Sequence, residues 1–267
     1  MKLLINKAEK YISEEGTTLQ NACLECISGR SERHRVIEEL SRYQNSDGGW
    51  SNGLEIEYPG PLSTPNTTIA ALGYIFKFKL RESELFKNTI SYLKNSQYSN
   101  GMWDDPKDIV KYPHPPYMGP GIYTEFKTGM ILKWLIRLEV PEKEMRESAL
   151  SYLLSIFNEV SLKNDFWSAV GYSNAFSLLP ELAESSKIMQ WCMDIIMPKE
   201  AQFGWQQAIG MIEDDIAIPS SLYNSVVEMI KSKQEADGGW PHLFGTYNRV
   251  WSAIHILRYL RNAGLIY

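Results

Sequence analysis

The chain has 267 residues, 44% hydrophobic and 22% charged, an ordinary globular balance that excludes a disordered or low-complexity class. A formal net charge of −5 argues against a nucleic-acid or anionic-membrane partner. Three cysteines form no disulfide framework, four dispersed histidines offer no zinc spacing, and no run of about 18 apolar residues exists to cross a membrane.

The N-terminus MKLLINKAEKYI lacks the long apolar stretch of a signal peptide, so a soluble, cytoplasmic protein with no metal and no cofactor is expected. Residues 2–13 and 17–28 read as a first helix pair. Cys23 and Cys26 share one face of the second helix and, with no βαβ pattern nearby, read as core packing. RVIEELSRYQ then shows the helical period and runs into the heptad Gln44-Asn-Ser-Asp-Gly-Gly-Trp50. A loop carrying Glu55, Glu57 and Tyr58 leads to the apolar stretch TTIAALGYIF.

The sequence repeats itself. ELFKNTISYLKNSQ ends in Gln97-Tyr-Ser-Asn-Gly-Met-Trp103. A long loop follows with Asp104, Asp105, Asp108, Tyr112, His114, Tyr117 and Tyr123, and then the apolar TEFKTGMILKWLI, which opens with Glu125. EMRESALSYLLSIFNEV precedes a degenerate copy ending at Trp167 and the apolar SAVGYSNAFSLL. SKIMQWCMDIIM precedes another ending at Trp205, and a short segment near QQAIGMIEDD. LYNSVVEMIKSKQ ends in Gln234-Glu-Ala-Asp-Gly-Gly-Trp240, ahead of Tyr247 and RVWSAIHILRYL, where His255 reads as a core residue.

An amphipathic helix covers a core with one face, whereas one that is apolar nearly all round must be buried. Alternating the two kinds, with no run of period two, predicts an all-α fold: an (α/α)5-6 toroid of outer and inner helix pairs, one domain over 1–267. An open solenoid is the competing geometry. The heptads read as turn-and-clamp elements: Gly-Gly and Asp for the tight turn, Gln for backbone at a neighbouring helix end, Trp for packing.

The run Q-x-x-D-G-G-W after an outer helix, with an inner helix ending SAIHILRYLRNAG, resembles the QW repeat of prenyltransferase and squalene-cyclase-type proteins. That family includes class II terpene cyclases and protein prenyltransferase β-subunits, both α/α toroids. A narrower resemblance is to single-domain bacterial proteins carrying DGGW-x-NGLE and a YPH-x-P loop, here Asp47–Glu55 and Tyr112–Tyr117. The resemblance implies an isoprenoid or other apolar substrate.

Against the D-x-D-D acid motif of class II cyclases, Ile212-Glu213-Asp214-Asp215 matches in part: Asp214 falls on the proton donor, and Ile212 replaces the first Asp. Clustered carboxylates can hold one another protonated, so Asp214, Asp215 and Glu213 form one candidate acid; an acidic, solvated helix end is the plain alternative. The second set lies in the loops after the tryptophans, where Glu55, Glu57, Asp105 and His114 could make an acid/base pocket. Trp50, Tyr58, Trp103, Tyr112, Tyr117, Tyr123, Trp205 and Tyr247 could wall it, and Glu125 is a cavity acid or a first-turn charge. The protein prenyltransferase reading lacks its zinc ligands, because no cysteine follows Cys192. A carbohydrate-active barrel using a carboxylate pair, and a non-catalytic lipid- or peptide-binding module, stay open, as do a homo-oligomer and a partner chain.

Overall fold

A computed structural model describes residues 2–160, 165–196, 228–241 and 245–262. They are helical: α1 (Lys2–Glu15), α2 (Thr18–Ile27), α3 (Arg33–Ser41), α4 (Pro65–Lys77), α5 (Glu84–Ser96), α6 (Thr124–Arg137), α7 (Lys143–Val160), α8 (Phe166–Phe176), α9 (Ser185–Ile196) and α10 (Gly245–Asn262). A 3-10 turn spans Lys107–Lys111, and no strand occurs among the described residues. Helix starts follow local chemistry. Thr17 caps α2 in a reciprocal box with Gln20, Thr64 caps α4 ahead of Pro65, and Ser83 caps α5. Asp165 accepts from the backbone N–H groups of Trp167 and Ser168 at the start of α8.

The chain divides into two units, Leu40–Pro198 and Met1–Glu39 with Lys199–Tyr267. In the first, α6 packs between α4 and α8, while α5, α7 and α9 pack on α4, α6 and α8 in turn. Every residue of α8 from Ser168 to Phe176 is buried, whereas α5 buries one face through Leu85, Phe86, Thr89, Ile90, Tyr92 and Leu93. Those two burial patterns are the apolar and amphipathic sequence types made physical. α6 and α8 cross closely where Gly129 and Gly171 face each other: a Cβ on Gly129 would lie 2.3 Å from the Gly171 carbonyl oxygen. In the second unit α1, α2 and α10 pack on one another.

Three heptads share one geometry. The Gln side-chain N–H of each donates to a carbonyl in the first turn of another amphipathic helix: Gln44 to Leu85 of α5 (2.9 Å), Gln97 to Met145 of α7 (3.0 Å), Gln234 to Leu4 of α1 (2.8 Å). The first turn glycine is left-handed in each, with φ +87° at Gly48, +92° at Gly101 and +97° at Gly238. Each also presses on the residue three beyond its anchor: a Cβ would lie 2.2 Å from Asn88 O, 2.1 Å from Ser148 O and 2.2 Å from Lys7 O. The second glycine works by size rather than by φ, since a Cβ on Gly49 would strike Ser63 and Tyr92, and one on Gly239 would strike Tyr11. Trp50, Trp103 and Trp240 are 0% exposed, and their indole N–H groups donate to Thr89 Oγ1, Leu93 O and Ile230 O, each at 2.9 Å. The degenerate copy that ends at Trp167 differs: Trp167 is half-buried inside α8, edge-on to Phe126 and Phe166.

Candidate functional site

The residues between Trp50 and α4, and between Trp103 and α6, form two long loops. They pack on each other through a small core of Tyr58, Ile109 and Met118, with Leu62, Tyr112 and Tyr117 against it. Tyr58 is 0% exposed and its hydroxyl accepts the Leu62 N–H at 3.3 Å, so it joins the loops rather than facing a ligand. Trp50 and Trp103, expected as cavity walls, are likewise sealed in the clamps, where the indole N–H needs a buried partner.

The first of these loops also carries two carboxyls. Glu57 accepts a hydrogen bond from the Tyr117 hydroxyl, and both residues are half-buried. Glu55 is also half-buried, and no donor reaches its carboxyl group among the described residues. Burial, and secondly the negative charge of Glu57, push Glu55 from 4.5 to about 7. The Tyr117 phenol is held well above its ordinary value by burial, by its bond to Glu57 and by the charges of Glu57 and Glu55. The pair therefore offers a proton donor poised near neutral pH, Glu55, beside an acceptor already engaged, Glu57. Ile56 between them is 51% exposed and Val110, after the loop core, 64% exposed.

Asp105 does not join that pair. Its side chain is 0% exposed, and Oδ2 accepts from Lys127 Nζ (2.8 Å) and from the Gly119 N–H (2.8 Å). Asp104 takes the other side of the same ammonium at 2.8 Å, and its Oδ2 accepts the Gly121 N–H at 2.6 Å. Lys127, also 0% exposed, completes its donors on Gly119 O at 3.1 Å. Two carboxylates around one ammonium leave an excess negative charge and one buried oxygen, Asp105 Oδ1, without a hydrogen bond. Burial accordingly raises the Asp105 carboxyl against the lowering effect of Lys127 and Gly119.

His114 is half-buried with Nδ1 2.7 Å from Tyr112 O, a local loop contact. Tyr123 stands before α6 in the left-handed region (φ 49°) and makes no side-chain cap bond; a bulky residue there is strained. Glu125 is a first-turn charge on α6 that also bonds across helices: Ser168 Oγ donates to Oε1 at 2.9 Å and Thr124 Oγ1 to Oε2 at 3.1 Å. Tyr247 lies in the other unit, its carbonyl accepting from Gln20 at 3.2 Å. Glu213, Asp214, Asp215 and Trp205 lie outside the described residues.

The sequence reading missed Lys127. The signal was present: a lysine inside a helix apolar nearly all round needs polar or charged partners, and Asp104-Asp105 is the nearest acidic pair after Trp103. Among the described residues no group of three or more His, Cys, Asp or Glu could hold a metal ion, and no helix is long and apolar enough to cross a membrane. No protein-family model matches the chain, and no curated protein matches it at a significant level.

Proposed function

We propose that the chain is a general-acid enzyme of the terpenoid-cyclase-like α/α toroids, a ring of helix pairs acting on an isoprenoid or other apolar substrate, with Glu55 as the acid. The ring is supported by the last heptad, which takes α1 in the register in which earlier heptads take α5 and α7. An open solenoid has no use for such a match between its last repeat and its first helix.

The observation that carries the chemistry is Glu55: half-buried, raised to about 7, beside a carboxylate engaged by Tyr117. A carboxylic acid adds its proton to an alkene carbon and becomes a carboxylate; the resulting carbocation later returns a proton to it, restoring the acid. The faces of Tyr112 and Tyr117 would stabilise the cation, and exposed Ile56 and Val110 provide apolar surface for a hydrocarbon chain. Burial, and secondly the negative charge of Glu57, keep the Glu55 proton in place until substrate arrives.

The same pair favours a second reading. A protonated and an engaged carboxyl beside tyrosine rings also suit glycosidic-bond protonation. The test is product analysis by mass spectrometry after incubation with linear isoprenols, isoprenoid diphosphates and aryl glycosides. Conversion of an isoprenoid that is lost in Glu55→Gln, with a rate that falls about tenfold per pH unit above about 7, is the expected outcome. Glycoside conversion alone selects the second reading. An undiminished rate in Glu55→Gln removes Glu55 as the acid, and binding without turnover of either class leaves a non-catalytic lipid-binding module.

A further inference from the structure

Three helices that follow a heptad carry the same short pattern: Thr64-Pro-Asn-Thr67, Thr124-Glu-Phe-Lys127 and Thr246-Tyr-Asn-Arg249. The fourth residue ties down the turn that precedes its helix. Thr67 Oγ1 donates to Trp50 O. Arg249 Nε donates to Trp240 O at 3.2 Å, and its guanidinium holds Glu235 and Asp237 of the heptad. Lys127 departs from this. The Trp103 N–H is held instead by Thr128 Oγ1 at 3.1 Å, and the ammonium reaches past the tryptophan to Asp104, Asp105 and Gly119 O. Through these it fixes both ends of the segment that carries Tyr112, Tyr117 and Met118, because Asp105 and Asp104 accept the Gly119 and Gly121 N–H groups. Tyr117 lies two residues from Gly119 and donates its hydroxyl to Glu57.

We propose that Lys127 is the positioning residue of the Glu55–Glu57 site: a repeat position that elsewhere serves the heptad holds the 112–123 loop over the two carboxyls. This deepens the assignment of Glu55 as the acid and rests on it for its functional meaning. Lys127 touches no substrate. Its ammonium sets the height of the loop, the loop sets Tyr117, and Tyr117 with the loop core excludes water from Glu55.

The experiment reads the site without substrate. Side-chain carboxyl carbons of glutamate and ring Cζ carbons of tyrosine are labelled with ¹³C and titrated by NMR. Glu55→Gln and Tyr117→Phe assign the two signals. In the intact chain the Glu55 midpoint is expected near 7, and Tyr117 is expected to resist deprotonation beyond an ordinary phenol. In Lys127→Met the Glu55 midpoint is expected to fall toward 4.5 and Tyr117 to titrate as an ordinary phenol. Asp104→Asn, which keeps the amide acceptor but weakens the hold on the ammonium, gives the same direction and serves if Lys127→Met does not fold. Gln97→Ala, which loosens a clamp of the same unit without touching the loop, should leave both signals in place.

Unchanged Glu55 and Tyr117 titrations in folded Lys127→Met or Asp104→Asn overturn the positioning role, as does an equal response in Gln97→Ala. A Glu55 midpoint near 4.5 in the intact chain overturns the acid assignment instead, and the Tyr117 signal then still decides whether Lys127 positions the loop.

Discussion

Glu55 and Glu57 stand two residues apart on one loop, yet Tyr117 donates to one and no donor reaches the other among the described residues. A carboxyl removed from water without a donor holds its proton, and the folded state then binds it more tightly than the unfolded chain does. With Glu55 raised from 4.5 to about 7, the linkage has a definite sign: its contribution is fully present below about pH 4.5 and is lost as pH rises through about 7. The full shift corresponds to about 3 kcal/mol, an upper figure for a group that is only half-buried. Glu55→Gln, which cannot ionise, should therefore gain about 1–3 kcal/mol over the parent at pH 8 and nothing at pH 4. Urea denaturation at the two pH values measures this, and an equal offset at both would mean that Glu55 does not carry the shift. The sequence shows Glu55, Glu57 and Tyr117 as members of the loops after the tryptophans, because acids and aromatics there are visible as composition. It could not separate them from Tyr58 or Asp105, whose burial is decided by which loop lies over which. Lys127 was hidden for the opposite reason, since a lysine in an apolar helix shows that a partner exists without showing what the pair holds.

At the scale of the element, the heptad turn depends on two different properties of glycine, and substitution separates them. Gly101 and Gly53 both have left-handed backbone, φ +92° and +79°. A Cβ on Gly101 would meet Ser148 O at 2.1 Å, whereas one on Gly53 has nothing within 4 Å. Gly53→Ala should cost only the backbone term, about 1–2 kcal/mol. Gly101→Ala adds a collision with backbone that no rotamer can relieve, and should cost at least about 3 kcal/mol. Similar losses for the two in chemical denaturation would show that the turn yields to the added methyl. The helices themselves were legible, since the 3.6-residue period and the apolar runs mark α4 to α8 and α10 to within a few residues. The heptads were legible as glycine turns needing positive φ, but the separate role of the second glycine was not: it answers to the space beside Ser63, Tyr92 or Tyr11.

At the scale of the whole molecule, repeated helix pairs draw stability from neighbour interfaces, so a local defect should be felt by the helix its heptad grips. The register makes that helix identifiable from three anchors. Leu85, Met145 and Leu4 accept the glutamines, Asn88, Ser148 and Lys7 abut the first glycines, and a tyrosine follows each anchor by seven residues, at Tyr92, Tyr152 and Tyr11. The hydrophobic period could announce α1 as a helix, but only this register marks it as the target of a heptad at the far end of the sequence. Hydrogen exchange read by mass spectrometry makes the consequence measurable. Gly238→Ala should speed exchange of α1 amides by about tenfold or more, equivalent to about 1.4 kcal/mol of lost protection, although the substitution lies more than two hundred residues away in sequence. Gly101→Ala should do the same to α7 and leave α1 near its parental rate. If Gly238→Ala instead loosens only its own turn, α1 is held by its packing on α2 and α10, and the last heptad adds nothing to the stability of that helix.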